Sequence, residues 1–121
     1  MEFIKKENIK VLSNPGCDSL QLLYPGNSES ERVTITEVHV SPGASQPRHK
    51  HDTSEQIWYA VKGKGKLLLV DNSEMEFKSG DVVRFVDGDI HGLRNDLDEE
   101  FVYISVTSPP INFNYAYKNE K

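Results

Sequence analysis

Short apolar runs broken by turn residues recur along the chain, and no segment sustains a helical period with caps. Residues 33–40 (VTITEVHV) are rich in β-branched side chains and stop at Ser41-Pro42-Gly43, a strand running into a turn. Residues 67–70, 75–77 and 81–86 read the same way, each bounded by Asp, Asn, Ser or Gly. Phe101 to Thr107 (FVYISVT) is the strongest strand signal. Upstream, residues 9–12 and 20–24 lie on either side of Asn14-Pro15-Gly16 and read as edge strands that precede a barrel. About nine or ten short strands at turn-punctuated spacing predict an all-β fold, a sandwich or a barrel.

Two segments carry more than strand propensity. In residues 56–61, Gln56, Trp58 and Ala60 share one face and Ile57, Tyr59 and Val61 the other. Bulky residues on both faces predict that both are covered, which favours a two-sheet barrel and a homodimer. In residues 111–117, Ile111, Phe113, Tyr115 and Tyr117 alternate with Asn112, Asn114 and Ala116. That aromatic stripe predicts a last strand within 108–117, packed on its own barrel or on a second subunit. The run Lys62-Gly63-Lys64-Gly65-Lys66 lacks the following helix that a phosphate cradle needs, so it reads as a hairpin turn with a charged rim.

Length and charge narrow the picture. A chain of 121 residues suits one domain, with the barrel core at about 33–107, edge strands in 1–32 and the aromatic strand in 108–117. A net charge of −5, with scattered lysines, argues against a nucleic-acid partner. The segment MEFIKKENIKVL holds no apolar run long enough for a signal peptide or a membrane span, so the expectation is a cytoplasmic protein with no membrane partner. The single cysteine, Cys17, falls in the turn NPGCDS and reads as incidental rather than nucleophilic.

The candidate chemistry centres on His49-Lys50-His51. An extended tripeptide puts both imidazoles on one face, converging on one point. Gly80, Gly88, His91 and Asn95 then bring a third histidine. The spacing resembles the two motifs of the cupin superfamily: Gly43, His49, His51 and Gly63 match the first, and Gly80, Gly88, His91 and Asn95 the second, with Val86 where the family has proline. The resemblance covers roughly residues 33–107 and implies a cupin double-stranded β-helix, a jelly-roll barrel. It places His49, His51 and His91 on metal-ligand positions and implies a divalent transition metal: iron, manganese, nickel or zinc. A barrel that keeps the fold without a metal is the bland alternative.

The fourth ligand position falls on Glu55 when counted from His51 and on Gln56 when counted back from Gly63. Adjacent strand residues face opposite ways, so only one of them reaches the metal. The count from His51 crosses a loop, whereas the count from Gly63 stays within a strand, so Gln56 is favoured, as in similar cupins that use glutamine there. Three imidazoles and an amide leave the ion's charge uncompensated, which suits an anionic or enolisable oxygen ligand. The function expected is therefore a metal-dependent enzyme that isomerises or tautomerises a small oxygen-rich molecule, sugar-like or a keto acid. The alternatives are a non-catalytic module that binds a small ligand or the metal, an iron-dependent dioxygenase, and, last, a metal-free sugar epimerase. Glu55, Tyr59, Tyr103 and Arg84 are chemically able to assist, but none is assigned a catalytic role. His39 and Asn95 read as structural.

Overall fold

The computed structural model describes residues 1–120. Its strands are β1 (Lys10–Asn14), β2 (Cys17–Leu23), β3 (Thr34–Val40), β4 (Ser45–His49), β5 (Glu55–Lys62), β6 (Lys64–Leu68), β7 (Glu74–Lys78), β8 (Val82–Phe85), β9 (His91–Arg94), β10 (Phe101–Ser108) and β11 (Asn119–Glu120). They form a seven-stranded sheet in the order β11-β1-β2-β3-β10-β5-β8 and a four-stranded sheet in the order β4-β9-β6-β7. Every pairing is antiparallel. From β3 to β10 the chain changes sheet at every connection except β6 to β7, which winds it into the expected all-β jelly roll. The only helical pieces among the described residues are 3-10 turns at Lys6–Asn8, Val70–Asn72 and Phe113–Ala116, and no helix is long and apolar enough to cross a membrane.

Between the sheets lies a core built on Trp58, Phe77, Phe85, Phe101, Leu67, Leu93 and Val40. Trp58 stacks on Tyr103 with ring centroids 4.3 Å apart and meets Phe85 edge-on at 5.0 Å. Alternation along β3 buries Thr34, Thr36, Val38 and Val40 and leaves Ile35, Glu37 and His39 on the outer face. The inner face of the large sheet is thus apolar at one end and rich in hydroxyls at the other.

Several sequence-based expectations are corrected. β2 is flanked by both β1 and β3, so it is an interior strand rather than an edge. The lysine-glycine run at 62–66 carries the chain from β5 in one sheet to β6 in the other, so it is a crossing and not a hairpin turn. Within a single chain only one face of β5 is covered: Trp58 and Ala60 are buried, while Ile57, Tyr59 and Val61 are each more than a third exposed. The aromatic segment does not form a strand over 108–117. Thr34 Oγ1 donates to Ile111 O and accepts from Ile111 N, and Asn112 Oδ1 accepts from Asn114 N to start a 3-10 turn. These bonds bend the chain across the end of the barrel, so Phe113 is buried and Tyr115 is 71% exposed instead of sharing one face.

Candidate metal centre

Strand β4 supplies His49, the loop after it His51, and the first residue of β9 His91. Continuous alternation would put Gln46 and His49 on opposite faces of β4, yet both line one cavity. A register shift between Gln46 and His49 reconciles them: Gln46 pairs with Leu93 and His49 with His91, so β4 spends one residue more than β9. Such a bulge suits Pro47, which could not donate to a regular ladder. The extra residue also turns Arg48 away, where its Nε donates to Leu69 O at 2.8 Å. Gly88, with φ of 84°, turns the chain ahead of β9, and its N–H donates to His51 O at 2.8 Å. That bond ties the two histidine segments together.

The three imidazoles offer nitrogens that all lie within 4.8 Å of one another. His49 Nδ1 donates to Pro47 O and His91 Nδ1 to Asp89 O, each at 2.9 Å, which leaves each Nε2 lone pair free. Nε2 of His51 and of His91 is buried and has no hydrogen-bond partner. Burial, followed by the neighbouring His49, holds the His91 pKa down at about 4 and lowers that of His51. Neutral imidazoles converging without a donor are what a cation satisfies, and a divalent transition metal fits this donor set. Phe85 stacks on His91 at 4.4 Å and fixes its plane.

Glu55 and Gln56 take opposite faces of β5. Glu55 accepts from Arg84 Nε and NH2 at 3.0 and 2.8 Å on the outer surface, so neither faces the histidines. Gln56 is buried and lines the cavity; its Nε2 donates to Thr107 Oγ1 and its Oε1 accepts from Trp58 Nε1, both at 3.0 Å. Trp58 can only donate, which fixes the amide orientation, and a second lone pair remains on Oε1. Tyr59 faces outward and is 47% exposed. His39 sits outside the site: its burial alone would lower its pKa, but hydrogen bonds to Glu37 and Glu100 raise it. Asn95 is structural, with Nδ2 donating to Val40 O and Glu99 O.

A cavity of about 340 Å3 opens beside the histidines, a size at the small end of ligand sites. Beyond His49, His51 and Gln56 its wall includes Ser19, Thr36, Gln46, Trp58, Tyr103 and Ser105, and among the described residues it contains no Asp, Glu or Arg. Cys17 also lines it, as the first residue of β2 rather than a turn residue, with Gln46 Nε2 3.5 Å from its sulfur. Burial pushes the Cys17 thiol up to about 11 and raises the Tyr103 and Tyr117 hydroxyls as well. The sequence reading missed Gln46, Thr36 and Ser105. In β10 the apolar Ile104 and Val106 alternate with Tyr103, Ser105 and Thr107, so hydrophobicity alone points the wrong set inward.

The comparisons with known proteins agree with this geometry. The cupin domain family matches residues 36–107. The chain is 32% identical over 98 residues to the uncharacterized protein MJ1618 of Methanocaldococcus jannaschii, covering 78% of each chain. It is 31% identical over 80 residues to the pectin degradation protein KdgF of Dickeya dadantii, covering 66% of this chain and 71% of that one. The solved structure of KdgF from Halomonas sp. superposes with a TM-score of 0.76 at 20% identity, over 91% of this chain and 96% of that one, a likeness of fold. From the family match and the relative alike over most of both lengths, the chain belongs to the cupin family, with the double-stranded β-helix fold of that family.

Proposed function

We propose that the chain is a metal-dependent enzyme in which His49, His51, His91 and Gln56 hold a divalent transition metal, and that it isomerises or tautomerises a small oxygen-rich molecule. The observation that carries this reading is the pair of buried, unpartnered Nε2 atoms of His51 and His91 in a cluster of three imidazoles, beside a cavity whose wall, among the described residues, holds no carboxylate. Once bound, the ion supplies a Lewis-acid centre whose charge no nearby carboxylate offsets, suited to an anionic carbonyl-derived oxygen. The chain's own part is to hold His51 and His91 neutral by burial, to aim Gln56 through Trp58 and Thr107, and to shield the site with Phe113, whose ring lies 6.0 Å from His51. A relative named for pectin degradation supports a sugar-derived substrate.

One observation favours a second reading, a non-catalytic module that binds a small ligand or the metal. Apart from the imidazoles, Cys17, Tyr103 and Tyr117 all keep their protons at neutral pH, so none of them is a ready base on the cavity wall. Elemental mass spectrometry on protein made without a histidine tag tests the metal. One metal per chain, lost in His51→Ala, is expected; no metal after reconstitution would sink the metal-dependent readings and leave a metal-free ligand-binding or epimerase barrel. Iron with oxygen uptake would instead indicate a dioxygenase, and turnover of an unsaturated or keto sugar acid without oxygen would separate the enzyme from the module.

A further inference from the structure

A hydroxyl-rich row occupies the inner face of the large sheet, where a barrel core ordinarily carries apolar side chains. Backbone register aligns Gln21, Thr36, Ser105 and Trp58 across β2, β3, β10 and β5. All four are at least nine-tenths buried. Thr36, Ser105 and Trp58 line the same cavity as His49 and His51. Ser105 Oγ has no hydrogen-bond partner there. Behind the wall, Gln21 Nε2 donates to Ser19 Oγ and Ser19 O while its own Oε1 is also unpartnered. A buried hydroxyl left open on a cavity wall costs stability until something in the cavity completes it.

The charge of the wall decides what that occupant is. Among the described residues no Arg, Asp or Glu lines the cavity, and the one lysine that does, Lys50, has a side chain 57% exposed and paired with Asp52 at 3.4 Å. A phosphate or a second carboxylate seated against Thr36 and Ser105 would give up its hydration for no counter-charge. A ligand hydroxyl loses little, because a serine hydroxyl both donates and accepts. The Trp58 ring adds an apolar surface for the C–H side of a hydroxylated carbon chain.

On the metal reading above, we infer that the cavity selects a ligand with one metal-binding oxyacid end and one neutral hydroxylated end seated on Ser105 and Thr36. Ligands with a second carboxylate or a phosphate are disfavoured.

Calorimetric titration of the zinc-loaded protein tests this with lactate, the stereoisomers of 2,3,4-trihydroxybutanoate, malate and 3-phosphoglycerate. At least one trihydroxybutanoate is expected to bind about tenfold more tightly than lactate, the gain from one or two net hydrogen bonds. Malate and 3-phosphoglycerate should bind no more tightly than lactate. Ser105→Ala should remove most of the tenfold gain while lactate and zinc binding stay unchanged, and Thr36→Val carries the same test should that variant fail to fold. A trihydroxybutanoate advantage that survives in the variant, or tightest binding by malate or 3-phosphoglycerate, would overturn the inference. Lactate binding with no hydroxyl preference, or no binding by any of the four ligand types, overturns it alone; failure of the protein to take up zinc overturns the metal reading with it.

Discussion

His91 is 2% exposed, and its imidazole is easier to keep neutral inside the barrel than in the unfolded chain. Its folded pKa of about 4 lies below the ordinary value of 6.5, so between those limits the unfolded chain binds more protons. Stability of the metal-free protein therefore rises with pH across that window and is lost as pH falls through it, by roughly 3 kcal/mol for a shift of this size. Thermal melts between pH 4 and 7 check this; a flat profile, or one that falls with pH, would contradict it. Added metal competes with the same protons, so its stabilising effect should fade on acidification.

Among the elements, the β4–β9 pair sets the site. A Cβ on Gly92 would lie 2.8 Å from Gln46 O and 3.0 Å from Arg48 N, both backbone atoms at the bulge that turns His49 inward. Gly92→Ala should cost about 1–3 kcal/mol by overpacking and, by pushing β4 from β9, weaken metal binding well beyond that stability loss. Metal titration of the folded variant decides this, and unchanged affinity would refute the coupling. On β5 the two faces make separable predictions. Glu55→Gln removes only the surface partner of Arg84 and should leave metal binding unchanged. Gln56→Leu should weaken it and also strand the Trp58 N–H, whereas Gln56→Glu keeps an acceptor for Trp58 and should retain the metal. Equal metal affinity in all three would remove Gln56 from the ligand set.

At the scale of the whole molecule, the outer face of β5 continues onto β8, where Tyr59 pairs with Val82, itself 64% exposed. Contiguous exposed apolar residues on a sheet face are a feature of interaction surfaces. The expected homodimer is predicted to use this face, and Tyr59→Lys should yield a monomer by light scattering. A parent protein that is monomeric at micromolar concentration would end that prediction.

Strands, turns and the paired histidines were legible in the chain because strand alternation and turn chemistry are local: VTITEVHV, FVYISVT and His49-Lys50-His51 carry their geometry with them. The two-residue alternation by itself also separates Glu55 from Gln56. What only the tertiary structure decided depends on pairing between distant segments. The bulge at Pro47 exists in relation to β9, the bend after Ile111 in relation to Thr34, and the inward turn of Thr36 and Ser105 in relation to a cavity that tolerates hydroxyls. In β10 the more apolar pair, Ile104 and Val106, points outward while Ser105 and Thr107 point inward, because which face becomes the interior is set by the sheet opposite and not by the strand itself.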